Sequence, residues 1–99
     1  MKPNALKIDA RDNVATVLAD LHPGDPVVLV AGATPMVDPV QLAAVEVIPY
    51  GHKVALCNIA VGEAVYKYGA TIGISTQNVA AGAHVHTHNL VSRRVGGHA

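Results

Sequence analysis

Apolar positions along this chain follow two rhythms. From Asp9 to Leu21 they recur at intervals of three and four (Val14, Val17, Leu18, Leu21), the spacing that lines one face of an α-helix. Asp12 or Asn13 stands where it would cap such a helix. The cluster His22-Pro23-Gly24-Asp25-Pro26 ends it, because Pro lacks a backbone donor and Gly accepts positive φ. After that cluster the rhythm shortens to runs of β-formers at Val27–Val30, Val45–Ile48, Lys53–Ile59, Ala64–Tyr68, Thr71–Ser75 and His84–Val91. Turns bearing Gly or Pro separate the runs at Gly32–Pro35, Pro49–Gly51, Val61–Glu63, Gly69 and Ala80–Gly82, with a short helical turn expected at Asn78–Ala81. This organisation predicts a mainly β fold with one short N-terminal helix.

A weak internal echo fits that picture. Asn58-Ile59-Ala60-Val61-Gly62-Glu63-Ala64-Val65 and Gln77-Asn78-Val79-Ala80-Ala81-Gly82-Ala83-His84-Val85 share an order of polar, apolar, small, Gly and extended positions. Each would turn the chain tightly into a new strand. At 99 residues, with no clear linker or low-complexity segment, the chain is expected to form one domain over 1–99. Residues 1–4 and 96–99 read as loose ends. Half the residues are apolar, but with three Tyr and neither Trp nor Phe the core must be aliphatic and largely β-branched.

Charge and cysteine content narrow the function. Seven basic and seven acidic side chains cancel, leaving no field to hold a nucleic acid or an anionic membrane surface. The longest apolar run, Val27 to Ala33, falls far short of the roughly 20 residues of a membrane helix, and a cytoplasmic address is expected. Cys57, the single cysteine, excludes an internal disulfide and reads as buried core filler.

Two clusters could carry chemistry. His84-Val85-His86-Thr87-His88-Asn89-Leu90 puts histidines at alternate positions, so on a strand three imidazoles would share one face. Such a face suits a divalent metal or proton handling, although no spacing here forms a self-contained metal site and an exposed strand also carries His without purpose. Ile48-Pro49-Tyr50-Gly51-His52-Lys53 sets a His and a Lys side by side after a turn. Strand neighbours point to opposite faces, so both reach one pocket only if Gly51 breaks the pleat. Lys53 would then receive a carboxylate while His52 moves a proton or binds metal; the plain alternative is a solvated Lys beside a turn His. His22 and His98, in a turn and at an end, and Tyr66 and Tyr68, which suit packing, offer less. Asp9 and Asp12 suit helix capping.

Together these residues carry a resemblance. Asp12-Asn13-Val14-Ala15, Ile48 to Leu56, Gly62-Glu63 with Lys67-Tyr68-Gly69 and Ile72-Gly73, and His84 to Leu90 resemble, in order and spacing over about residues 8–91, the N-terminal SAF domain of altronate and galactarate dehydratases. The chain is also similar to the small alpha subunit of sulfolactate sulfo-lyase. The resemblance implies a β-clip fold and an enzyme family that eliminates water or sulfite from a hydroxylated carboxylate such as a sugar acid. It implies a divalent metal, typically Fe2+, and a large catalytic dehydratase-like partner subunit completing the site. His52, Lys53, His86 and His88 are the expected catalytic residues, with Lys53 and Asn89 on the substrate and His86 and His88 as metal ligands. His84 stands outside that set, since the family position varies. The alternatives are a non-enzymatic binding module for a sugar acid or a protein, and a homo-oligomer that gathers His86-His88 pairs around metal.

Overall fold

A computed structural model describes residues 3–31 and 42–92. Among the described residues eight short strands form two sheets: β1 (Ala5–Lys7), β2 (Val14–Val17), β3 (Leu29–Ala31), β4 (Lys53–Ala55), β5 (Ala64–Lys67), β6 (Ala70–Ser75), β7 (His84–Val85) and β8 (Leu90–Ser92). The larger sheet runs β3-β1-β2-β4-β7 and the smaller β5-β6-β8. All pairings are antiparallel except β1 with β3. The mainly β architecture matches the expected class. Among the described residues no helix is long and apolar enough to cross a membrane.

The expected N-terminal helix is instead strand β2, flanked by turns. Its register explains the misleading spacing: Val14 lies opposite Ala55, and Ala15 opposite Val54. Val14 and Ala55 pack into one apolar cluster with Ile59, Val65, Val79 and Val85, whereas Ala15, Val17 and Val54 enter another with Ala5, Leu21 and Ile48. A strand buried on both faces shows no alternation, and a turn then carries the chain to Leu21, so apolar residues fall three and four apart without a helix. Asp12 caps no helix. Its carboxylate accepts the amides of Gly69 at 2.7 Å and Asp9 at 3.1 Å, while Asn13 accepts Tyr66 N–H at 2.8 Å and donates to Ala64 C=O at 3.0 Å. The Asp12-Asn13 pair thereby fastens the smaller sheet to the larger.

Other expectations shift for similar local reasons. Val45–Ile48 forms no strand: Val45 N–H bonds Gly82 C=O and Ile48 bridges Leu21, so the two ends are drawn to different partners. The run from His84 breaks after Val85, and residues 86–89 form a turn. No helical turn forms at Asn78–Ala81, where Val79 makes an isolated bridge. Cys57 is exposed, just past the end of β4. Asn4 is no loose end, since its side chain accepts Val28 N–H and donates to Pro26 C=O, both at 2.8 Å. The remaining end residues 1–2 and 96–99, and the turn expected at 32–35, lie outside the described residues.

The echo noticed in two segments extends to four. Leu21, Ile48, Ile59 and Val79 are all buried, and three residues after each comes a glycine, Gly24, Gly51, Gly62 and Gly82, with φ between +85° and +93°. Glycine carries this left-handed conformation without Cβ strain. The four segments clasp in pairs, Leu21 with Ile48 and Ile59 with Val79, through reciprocal backbone hydrogen bonds of 2.7–2.9 Å. In the second clasp Asn58 accepts Ala81 N–H and Asn78 accepts Val61 N–H, each at 2.9 Å. Two of the four turns deliver the chain to β4 and β7, where the histidines lie.

Candidate active site

Strands β4 and β7 pair with Val54 opposite His84 and Lys53 opposite Val85. Paired residues share a face, so His84 projects on the Val54 side with His52, two residues before Val54. Lys53 projects on the other side, as alternation demands. His86 follows the end of edge strand β7 and reaches both: it stacks on His52 with ring centroids 3.9 Å apart, and it lines a groove together with Lys53.

His52, His84 and His86 form one cluster in which one nitrogen from each ring lies within 4.8 Å of the others. His52 Nδ1 and His84 Nε2 are 2.8 Å apart, so one donates and the other accepts in the metal-free pair. His86 Nδ1 is buried and has no hydrogen-bond partner among the described residues. Burial lowers the pKa of His84, helped by His88 and His52 and opposed by Glu46, whose carboxylate accepts His84 N–H at 2.9 Å. Burial likewise lowers the pKa of His86, with His52, Lys53 and His88 adding to the effect. Both imidazoles are therefore biased toward the neutral form that binds metal. Three converging imidazoles, one of them with an unpartnered buried nitrogen, fit a divalent ion such as Fe2+, since imidazole suits Zn, Cu, Fe and Ni.

The other expected residues fall around this cluster. His88 is exposed in the turn, 5.0 Å from His84 between ring centroids, and stands outside the three-nitrogen group. Asn89 is buried with its amide spent on the backbone: it accepts His86 N–H and donates to His84 C=O, both at 2.9 Å. It holds the turn that presents His86. Lys53 is half-buried, and burial followed by the charge of Lys67 lowers its pKa. His22 lies apart, paired with Asp25 at 3.7 Å, and His98 lies outside the described residues. The expected site set omitted His84, although the motif contained it, and only its alternation with His86 pointed to a place in the cluster. Glu46 gave no signal in the sequence.

A family model for the altronate/galactarate dehydratase SAF domain matches residues 3–93. The chain belongs to this family. Over 84 residues, 85% of its length, this SAF chain is 44% identical to altronate dehydratase of Escherichia coli (strain K12) and 32% identical to that of Bacillus subtilis (strain 168). It spans only about 15% of the length of either. Over 54 residues it is 44% identical to (2R)-sulfolactate sulfo-lyase subunit alpha of Paracoccus pantotrophus, a match covering 54% of this chain and 81% of that subunit. A SAF domain associated with dehydratases and lyases is thus established.

Proposed function

We propose that this SAF chain is the small component of a lyase that eliminates water, or sulfite, from a hydroxylated carboxylate, completed by a large dehydratase-like component. The observation that carries the reading is the convergence of His52, His84 and His86 beside Lys53 in a family whose named relatives are dehydratases and sulfo-lyase subunits. His52, His84 and His86 would hold a divalent metal. Bound there, such an ion supplies Lewis acidity toward a hydroxyl or carboxylate oxygen.

The chain's own residues have separable tasks. Lys53 offers an ammonium to the substrate carboxylate from the face opposite His52. Without metal the His52 and His84 rings share a proton across a 2.8 Å contact, and binding the ion would displace that proton. In the elimination a base takes the proton next to the carboxylate, its electron pair becomes the new C=C bond, and the hydroxyl leaves as water with a proton from an acid. His88, exposed at the rim, is placed to exchange protons with solvent or with the large component. Exposed Val45, Val47 and Tyr50, a few residues before His52, offer an apolar surface for that component, with Tyr50 68% exposed.

The cluster lies within one chain, which also favours a second reading, a metal-holding module without turnover. The test is recovery of the tagged chain from its native extract, followed by an iron-supplemented dehydratase assay on sugar acids and sulfolactate. Co-purification of a large subunit with activity that falls in His86→Ala is expected. An inactive chain recovered alone would contradict the lyase reading and favour the module.

A further inference from the structure

Folding brings two lysines from different sheets to one groove. Lys53 stands on β4 of the larger sheet and Lys67 at the end of β5 in the smaller, and both line a groove of about 290 Å3. Ile72 and Leu90 supply its apolar surface, Thr87 and Ser92 bring hydroxyls, and His86 forms the wall shared with the imidazole cluster. Among the described residues no carboxylate lines it. Neither lysine has an ion pair among the described residues, and Lys67 Nζ instead lies 4.9 Å from the centre of the Tyr68 ring. Two like charges converging on a half-buried concavity repel each other, and an anion between them removes that cost.

We propose that Lys67, together with Lys53, Thr87 and Ser92, forms an oxyanion subsite that seats the acid group of a small hydroxy acid. The proposal rests on the function proposed above and adds an orientation to it. The acid end lies between the lysines, and the hydroxylated carbons run past His86 toward His52 and His84. The volume sits at the small end of ligand pockets, which suits a short-chain acid better than a nucleotide. Lysine acts here as a point charge with several rotatable donors, so a carboxylate and a sulfonate are both accommodated.

The test follows amide chemical shifts of the full chain, without metal, during titration with tartrate, sulfate or the neutral polyol erythritol. Tartrate and sulfate are expected to move the amides of Lys67, Thr87 and Ser92, and erythritol is not. Lys67→Met should weaken tartrate binding roughly ten-fold or more, the worth of a charge-assisted hydrogen bond, while Lys67→Arg retains most of it. Unchanged affinity in a folded Lys67→Met, equal binding of erythritol, or shifts confined to other surfaces would overturn the subsite. If tartrate binds through Lys67 but the assembled protein turns over no hydroxy acid, the subsite stands and the lyase reading falls. If the assembled protein is active while tartrate ignores Lys67, the subsite alone falls.

Discussion

The four glycine turns share one backbone plan but divide into two kinds. After Gly24 and Gly62 comes a carboxylate that looks back into its own turn: Asp25 accepts His22 N–H at 2.8 Å and Glu63 accepts Ala60 N–H at 2.6 Å. After Gly51 comes His52, and after Gly82 come Ala83 and His84. The first exchange has a simple physical reason. The residue equivalent to His22 and Ala60 in the Gly51 turn is Pro49, which has no N–H to satisfy, so no acid is needed behind it. In the Gly82 turn the equivalent residue is Ala80, which is exposed and open to water. Two turns thus spend their side chains on the fold, and the other two leave them available for a site.

The sharpest way to break this comparison is at the glycines of the two site turns. A Cβ at Gly82 would strike the backbone carbonyl of Ala43, whereas one at Gly51 meets nothing within 4 Å. Gly82→Ala should therefore cost about 2–4 kcal/mol, from left-handed strain plus overpacking. Gly51→Ala should cost only the strain, about 1–2 kcal/mol. Urea melts of both variants check the ranking, and equal losses would mean that the close approach to Ala43 is relieved at no cost.

At the site itself, if the proposed lyase is correct, His86→Ala should lower its activity by about a hundred-fold or more while leaving the circular dichroism spectrum intact, in line with acid-base or ligand contributions. Asn89→Ala acts one step back, by releasing the 86–89 turn. It should cost about 1–3 kcal/mol through the two lost hydrogen bonds and weaken metal binding about 10–100-fold, and calorimetry reads both. The turns that end in an acid should respond differently: Glu63→Ala and Asp25→Ala are each expected to lose about 1 kcal/mol and no metal affinity.

The smallest expected effect is one of pH. The folded pKa values of His84 and His86 lie below the ordinary histidine value. Between those values and about 6.5 the unfolded chain binds more protons than the folded one, so stability rises with pH there and falls on acidification. Thermal melts of metal-free protein across that window should show the slope, and His84→Ala should flatten it.

The strands at 64–67 and 70–75 were legible, because β-formers bounded by Gly turns report strands directly, whereas the runs expected at 53–59 and 84–91 are strands only in part. Val14 to Leu21 misled because β2 is covered on both faces, which erases the alternation that marks a strand. The site was half legible. Alternating histidines and the His52-Lys53 pair announced chemistry, but the expectation of one strand face with His86 and His88 failed because Asn89 bends the chain after Val85. What joins His52 to His84 is the β4–β7 pairing across 32 residues, a contact that local spacing cannot express. Lys67 stood in a recognised motif without a role, since its partner Lys53 approaches from the other sheet.

Titration of the isolated chain with Co2+, followed by its visible absorption, tests the central claim most directly, that His52, His84 and His86 act as one site. One ion per chain is expected, with binding lost in His52→Ala, His84→Ala and His86→Ala and kept in His88→Ala. Binding that survives loss of His84 but not of His88, or no binding by the folded chain, would contradict it.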